Sequence, residues 1–340
     1  MGFGMLLGRR TATGYQPSLM HRLLKPRISG NAINGLGEAA RRRATPIYHW
    51  AELSFPHKRI WRWFLILELR SLEMIRQVRT AVRGRNAPPA PINPHRTEAT
   101  PANWTARVKE FALANEADLV GITPLDPAWV FDTLSIPERW VIVLGVQMDH
   151  KLLSTAPEAP SGIEVLRQYN RGHRAATKLA NWIRGQGWNA RGFGVPFATP
   201  LVMIPAAIAA GLGELGKHGS LINRQLGASF RLAYVLTDLP LVADHPDRFG
   251  VDEFCMNCRL CTSECPADAI YESKQMVRGE LKWYVDFDKC VPYFNDTYGC
   301  GICLAVCPWS RPGVAPGLAE KMTRKIVRQA RTGGEREAGR

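Results

Sequence analysis

Cys255-Met256-Asn257-Cys258-Arg259-Leu260-Cys261-Thr262-Ser263-Glu264-Cys265-Pro266 opens the part of the 340-residue chain that holds all eight cysteines. The same part closes with Cys290-x9-Cys300-x2-Cys303-x3-Cys307-Pro308. The thiols therefore form two groups of four, each ending in Cys-Pro. A disulfide framework is not expected in a cytoplasmic chain with no cysteine elsewhere. Structural zinc uses separated C-x2-C pairs, not a C-x2-C-x2-C-x3-C-P run.

The first spacing is the ligand run of bacterial ferredoxins. It wraps three thiolates around one face of an iron–sulfur cube, and the proline turns the chain away. The fourth cysteine of such a run crosses to the other cluster. The expectation is two [4Fe–4S] clusters. Cys255, Cys258, Cys261 and Cys307 would hold one, and Cys265, Cys290, Cys300 and Cys303 the other. The x9 gap breaks the symmetry of the pair, and Cys290 enters the second set because no spare cysteine exists. Trp283, Tyr284, Tyr293, Phe294 and Trp309 are expected to keep water from the clusters, which tunes their potentials. A two-cluster carrier needs only a fraction of this chain. The rest must hold something for the electrons to act on, which points to an enzyme.

Outward from the cysteines, charge is unevenly spread. The formal net charge is +14, yet residues 1–86 carry 16 Lys/Arg against 4 Asp/Glu, and residues 321–340 carry 7 against 2. The stretch between them balances at −3. Basic ends can meet anionic lipid, nucleic acid or an acidic redox partner, or can simply be solvated extensions. Hydrophobic content of 46% with 22% charged residues is that of an ordinary globular protein. Arg9-Arg10 is followed by Thr11-Ala12-Thr13-Gly14-Tyr15-Gln16-Pro17 rather than an apolar run, so no twin-arginine export signal is read there. Trp61 to Leu72 is short and interrupted by Arg62, Glu68 and Arg70, so it is not a membrane span. The expected location is cytoplasmic, with peripheral membrane contact still open.

The chain divides into a basic region over 1–86, a Pro-rich linker over 87–103, a body over 104–249, the cysteine domain over 250–312 and a basic tail over 313–340. A helix is expected near 60–84. In the linker, Ala87-Pro88-Pro89-Ala90-Pro91-Ile92-Asn93-Pro94 is stiff and extended, since proline disfavours helix in itself and in the residue before it. The body should begin with a helix over 104–115 showing Val108, Phe111 and Ala112 on one face. Strands follow at Leu119–Ile122 and at Trp140–Val146, the latter a continuous apolar run typical of a buried strand. Leu166 to Ile183 reads as a helix with Ala175, Ala176, Leu179, Ala180 and Ile183 inward. Pro205 to Leu212 reads as a short helix, and Leu232 to Leu236 as a strand. Mixed helix and strand ahead of a small metal domain indicates an α+β body. Gly211-Leu212-Gly213-Glu214-Leu215-Gly216 matches G-x-G-x-x-G by letters, but no strand-to-helix turn frames it, so dinucleotide binding is set aside.

Three stretches resemble the reductive dehalogenase catalytic family. They are Trp182-Ile183-Arg184-Gly185-Gln186-Gly187-Trp188-Asn189-Ala190, Ile204-Pro205 through Lys217-His218-Gly219, and Phe230-Arg231-Leu232 with Leu236-Thr237-Asp238-Leu239-Pro240-Leu241. With the asymmetric cysteine pair, the likeness runs over about 104–310. Epoxyqueuosine reductases share the architecture, but have an isoleucine-glycine-lysine-asparagine-like sequence where this chain has Glu214-Leu215-Gly216-Lys217-His218. The resemblance implies a nitroreductase-like α+β body that binds a base-off corrinoid (cobalamin), with the two clusters feeding electrons to its cobalt. It implies reductive dehalogenation of a small halogenated substrate, fed by an external ferredoxin, flavodoxin or reductase. Tyr169 stands where the family places its proton-donating tyrosine, and Arg231 where it places the basic partner; a neighbouring cation favours the phenolate and so makes a readier proton donor. Gly211, Gly213 and Gly216 would let backbone approach the corrinoid, with His218 among the cofactor contacts. His173, four residues after Tyr169 on the same helix face, reads as a partly exposed helix histidine, with a proton relay as the alternative. Two alternatives stand beside this reading: reduction of a modified tRNA base, which the basic ends suit, and a corrinoid-free electron carrier.

Overall fold

The computed structural model describes residues 9–11, 14–47, 57–68, 71–194 and 200–337. In chain order the main elements are α1 (Lys58–Glu68), α2 (Leu72–Arg85), α3 (Pro101–Ala114), β1 (Leu119–Pro124), β2 (Trp140–Gln147), α4 (Ala159–Gly185), β3 (Ala190–Gly194), α5 (Met203–Ala209) and β4 (Phe230–Thr237). The cysteine domain adds α6 (Val251–Asn257) and α7 (Phe287–Asp296), and α8 (Val314–Glu337) follows it.

The body is α+β. Its four strands form one antiparallel sheet in the order β1-β2-β4-β3. Residues 141–146 of β2 are all buried, because the sheet is covered on both faces. On one face lie Ala175, Ala176, Leu179, Ala180 and Ile183 of α4 with Trp104, Val108 and Ala112 of α3. On the other, Ala206, Ala207, Ala210 and Leu212 pack on Val141, Val143, Tyr234 and Leu236. Every inward residue read from the α4 periodicity is buried, and Phe111 stacks on Trp182 at 4.9 Å.

Three differences from the sequence reading have local causes. Helix α4 starts at Ala159, seven residues early, because Pro160 sits at the first turn, where its missing N–H costs nothing. The helix expected near 60–84 is two helices, the second capped by Ser71, whose side chain accepts from the Met74 N–H. Strand β3 was not foreseen. Its sequence Ala190-Arg191-Gly192-Phe193-Gly194 is poor in β-formers, and its glycines serve packing. A Cβ on Gly192 would lie 2.6 Å from the Ala176 backbone, and one on Gly194 2.7 Å from the His173 Cα. The glycines let α4 lie directly on the sheet, which fixes the height of every side chain on that helix.

The basic N-terminal region is not an appended arm. Asn31 donates to Asp286 at 2.8 Å and accepts from the Phe287 N–H at 2.8 Å. Gly30 N–H donates to Asp288, and Leu36 bridges to Val277. Ser18 bonds the Asp296 carboxylate through both its N–H and its hydroxyl. Helix α2 docks on α4, where Asn170 donates to Gln77 and Glu73 pairs with Arg167. The polar side chains Ser18, Asn31 and Gln77 make these contacts, and no periodicity announces them. The linker runs along the end of α4 through Asn93 N–H to Arg184 and Thr97 N–H to Gln186. The basic tail also begins inside the fold, with Ala315, Ala319 and Met322 of α8 buried beside Phe249 and Trp309. Among the described residues, no helix is long and apolar enough to cross a membrane.

Candidate redox site

The cysteine domain carries its thiols on short helices separated by tight turns. Cys255 lies in α6, Cys261 in a turn of helix at Leu260–Ser263, Cys290 in α7 and Cys303 in another turn at Ile302–Ala305. The x9 gap that set Cys290 apart is the rest of α7 plus a left-handed turn. Gly299, Cys300 and Gly301 have φ of 81°, 43° and 93°, a conformation that the two glycines make accessible. The turn folds Cys300 back toward Cys290.

The thiols fall into two neighbourhoods. Those of Cys307, Cys261 and Cys258 act on Cys255, while those of Cys300 and Cys265 act on Cys290. Cys303 feels Cys300, Cys290 and Cys265 and also Cys261, so the neighbourhoods adjoin. Burial pushes Cys255, Cys290 and Cys307 up to about 12 and Cys300 up to about 11, and it raises Cys303 well above its ordinary value. Buried thiols of this kind become thiolates only beside strong positive charge. Iron would supply that charge, and two groups of four neighbouring thiols are the number that two cubane clusters require.

Trp283 and Trp309 are buried in the same apolar core as Cys255 and Cys307. Phe294 is 37% exposed and packs on Phe64, so it gives less shielding than the sequence reading assigned to it. Two functional residues escaped that reading although both lie in a quoted stretch. Glu214 accepts at one oxygen from the N–H groups of Phe249, Gly250 and Val251, capping α6 and so aiming Cys255. Lys217, 2% exposed, donates to the Cys258 carbonyl at 3.0 Å and lies over the Trp283 ring at 4.9 Å. The signal for both was a lone acid and a lone base in a run otherwise made of small and apolar residues.

The glycines of that run have an explanation in the chain itself. Gly211 and Gly213 have φ of 76° and 142°, and a Cβ would meet His245 O at 2.5 Å and Ile222 O at 2.0 Å. A Cβ on Gly216 would lie 2.8 Å from the His218 ring. The close approach they permit is protein to protein, in the turn that leaves α5 and enters the Glu214–Leu215 strand. His218 is buried, which lowers its pKa to about 4, and its Nδ1 accepts from the Ser220 N–H. This neutral imidazole braces the turn.

Tyr169 and Arg231 meet. Tyr169 projects from α4 and Arg231 from β4, opposite Val146, and the Arg231 guanidinium carbon lies 5.3 Å from the Tyr169 ring centroid. Both side chains reach this point because α4 rests on the sheet: Gly172 is 3.2 Å from Ala233 when a Cβ is built on it. Within the pair, Arg231 Nε is buried without a hydrogen-bond partner. An unpaired buried polar atom costs about 1–3 kcal/mol, so this nitrogen suits a polar ligand. A corrinoid, with amides around its rim, would offer it an acceptor. A cleft of about 380 Å³, of ligand-pocket size, lies between Gln147, Met148, Arg171 and Ser229.

Known proteins resemble this chain in its body and in its cysteine domain. Residues 254–310 match a 4Fe-4S dicluster domain. The tetrachloroethene reductive dehalogenase of Sulfurospirillum multivorans is 30% identical over 262 residues, 63% of this chain and 52% of that protein. The solved catabolic reductive dehalogenase NpRdhA superposes with a TM-score of 0.62 at 28% identity, over 66% of this chain and 35% of that one. The chain is similar to the reductive dehalogenases. An epoxyqueuosine reductase of Salmonella typhimurium is a further relative, 34% identical over 147 residues, 38% of this chain and 35% of that protein. The chain spans about half the length of the tetrachloroethene reductive dehalogenase it matches.

Proposed function

We propose that this protein is a corrinoid-dependent reductase that removes halogen from a small organic substrate. Cys255, Cys258, Cys261 and Cys307 would hold one [4Fe–4S] cluster, and Cys265, Cys290, Cys300 and Cys303 the other. When bound, the clusters supply single electrons and the base-off corrinoid supplies a nucleophilic cobalt. In the overall change the substrate takes up two electrons and a proton, its carbon–halogen bond is replaced by a carbon–hydrogen bond, and halide leaves. The electrons come from an external low-potential carrier in the cytoplasm.

Within this scheme the chain's own residues handle the proton. Tyr169 holds it on its phenol oxygen and delivers it to the product carbon. Arg231, over the ring, stabilises the phenolate that remains. Arg231 Nε, buried and unpartnered, would donate a hydrogen bond to the bound group. The observation that carries the reading is the Tyr169–Arg231 pair, formed from separate elements, with Arg231 Nε buried and unpartnered, in a protein with two thiol quartets. The test begins with anaerobically prepared protein, which should contain about eight irons and eight sulfides. Tyr169→Phe should keep clusters and corrinoid, while halide release from an organohalide panel falls roughly 10²-fold or more, as loss of a general acid requires. Arg231→Lys should be milder than Arg231→Ala, because a cation remains. Wild-type halide release by a fully loaded Tyr169→Phe enzyme would remove Tyr169 from the mechanism.

A further inference from the structure

The two thiol quartets face opposite fixed charges. Lys217 addresses the first. Its backbone N–H points at the Cys255 thiol, its ammonium bonds the Cys258 carbonyl, and its charge acts on Cys261. The ammonium is buried, and among the described residues no carboxylate pairs with it; the Trp283 ring and a carbonyl are its neighbours. Trp283 is itself held in place, its Nε1 donating to Asp252 at 2.8 Å. A buried cation without a counter-ion is strongly unfavourable. A cubane with four thiolates is an anion, and its negative charge grows by one on reduction.

The second quartet faces a carboxylate. Asp286 is buried, stands one helical turn before Cys290, and acts on that thiol with negative charge. It is held by Asn31, by the Tyr271 hydroxyl and by the Lys289 N–H, so it cannot swing away. None of the charges acting on Cys290, Cys300 or Cys303 comes from Lys217.

We propose that Lys217 and Asp286 polarise the cluster pair, so that electrons run from the Cys290 quartet to the Cys255 quartet. Lys217 stabilises the more negative, reduced state of the cluster beside it. Asp286 opposes reduction of the other. One electron leaves the reduced second cluster, which returns to its oxidised state, and reduces the first; an external one-electron reductant refills the second. Lys217 and Asp286 are tuning residues, since neither touches substrate. This inference rests on the two-cluster reading above.

The experiment is a redox titration of the holoprotein, followed by electron paramagnetic resonance with dithionite as reductant, with iron and sulfide measured on each sample. Lys217→Gln keeps an amide donor for the Cys258 carbonyl and removes the charge. It should move the higher-potential step to more negative values and leave the lower one in place. At a fixed potential the reduced-to-oxidised ratio of that cluster should fall at least tenfold, about 59 mV for a one-electron couple. Lys217→Arg should restore it. Asp286→Asn should move only the lower step, toward more positive values. If Lys217→Gln assembles one cluster while Lys217→Arg assembles both, the buried charge is needed even to retain the cluster, which also supports the proposal. Loss of that cluster in both variants would show a requirement for lysine's shape and overturn it. Unmoved steps with full iron would overturn it too, without touching the two-cluster reading, which falls only if the wild-type protein lacks iron and sulfide.

Discussion

Asp296→Ala should loosen the N-terminal region from the cysteine domain and expose the second cluster. Asp296 ends α7, six residues after Cys290 and four before Cys300. Its carboxylate accepts from Tyr15 Oη at 2.5 Å, Ser18 N–H at 2.9 Å and Ser18 Oγ at 2.7 Å. Ser18 is 2% exposed and Asp296 5% exposed, so water does not replace these bonds in the folded state. Hydrogen bonds to a charged group contribute about 1.5–3 kcal/mol each, and three on one carboxylate are not additive. The truncation strands the buried Ser18 N–H and leaves the Ser18 hydroxyl without its acceptor, and a loss of about 3–5 kcal/mol follows, in line with breaking other buried charged networks. Asp296→Asn keeps acceptor oxygen and drops the charge, so it should cost about half as much. The assay is urea unfolding of the cluster-loaded protein, read by tryptophan fluorescence and by the visible cluster absorbance. In Asp296→Ala the absorbance should be lost at lower urea than in wild type. A midpoint within error of wild type, with eight irons retained, would refute the view that the N-terminal region is part of the cluster fold.

Two further predictions concern the body. Burial alone would raise the Glu138 carboxyl, but the Arg191 guanidinium, a backbone N–H and Asn189 overcome this and hold it below its ordinary value. A depressed carboxyl contributes stability that is present above the unfolded value near 4.3 and is lost as pH falls through the folded value. Urea midpoints should therefore decline below about pH 4.3 in wild type, and Glu138→Gln should flatten that part of the acid slope. Gly192→Ala would drive a methyl to 2.6 Å from the Ala176 backbone, so α4 must lift from the sheet. The protein should lose about 1–3 kcal/mol, as overpacking does, and Tyr169-dependent turnover should drop with it; stability and turnover equal to wild type would show that α4 does not rest on β3.

The cysteine spacing carried the domain by itself, because ligand geometry for a cubane is local: three thiols at x2 intervals wrap one face whatever surrounds them. Helix and strand in the body were legible where burial imposed a period, as at Ala175–Ile183 and in the apolar run of β2. Strand β3 was not legible, since its glycines answer to the backbone of α4, a partner distant in sequence. The Gly211–Gly216 stretch was visible as a motif, yet its reason is tertiary: carbonyls of His245 and Ile222 occupy the space a side chain would need. Composition described residues 1–86 as a basic region, but single polar residues such as Ser18, Asn31 and Gln77 dock it, and isolated polar contacts leave no period to read. Sequence could propose Tyr169 and Arg231 as partners only through a resemblance. Only the packing of α4 on the sheet brings a helix residue and a strand residue 62 positions apart to 5.3 Å. The charges that flank the thiol quartets were likewise hidden, because an electrostatic field depends on distance through space, and the chain order of Lys217 and Asp286 does not give it.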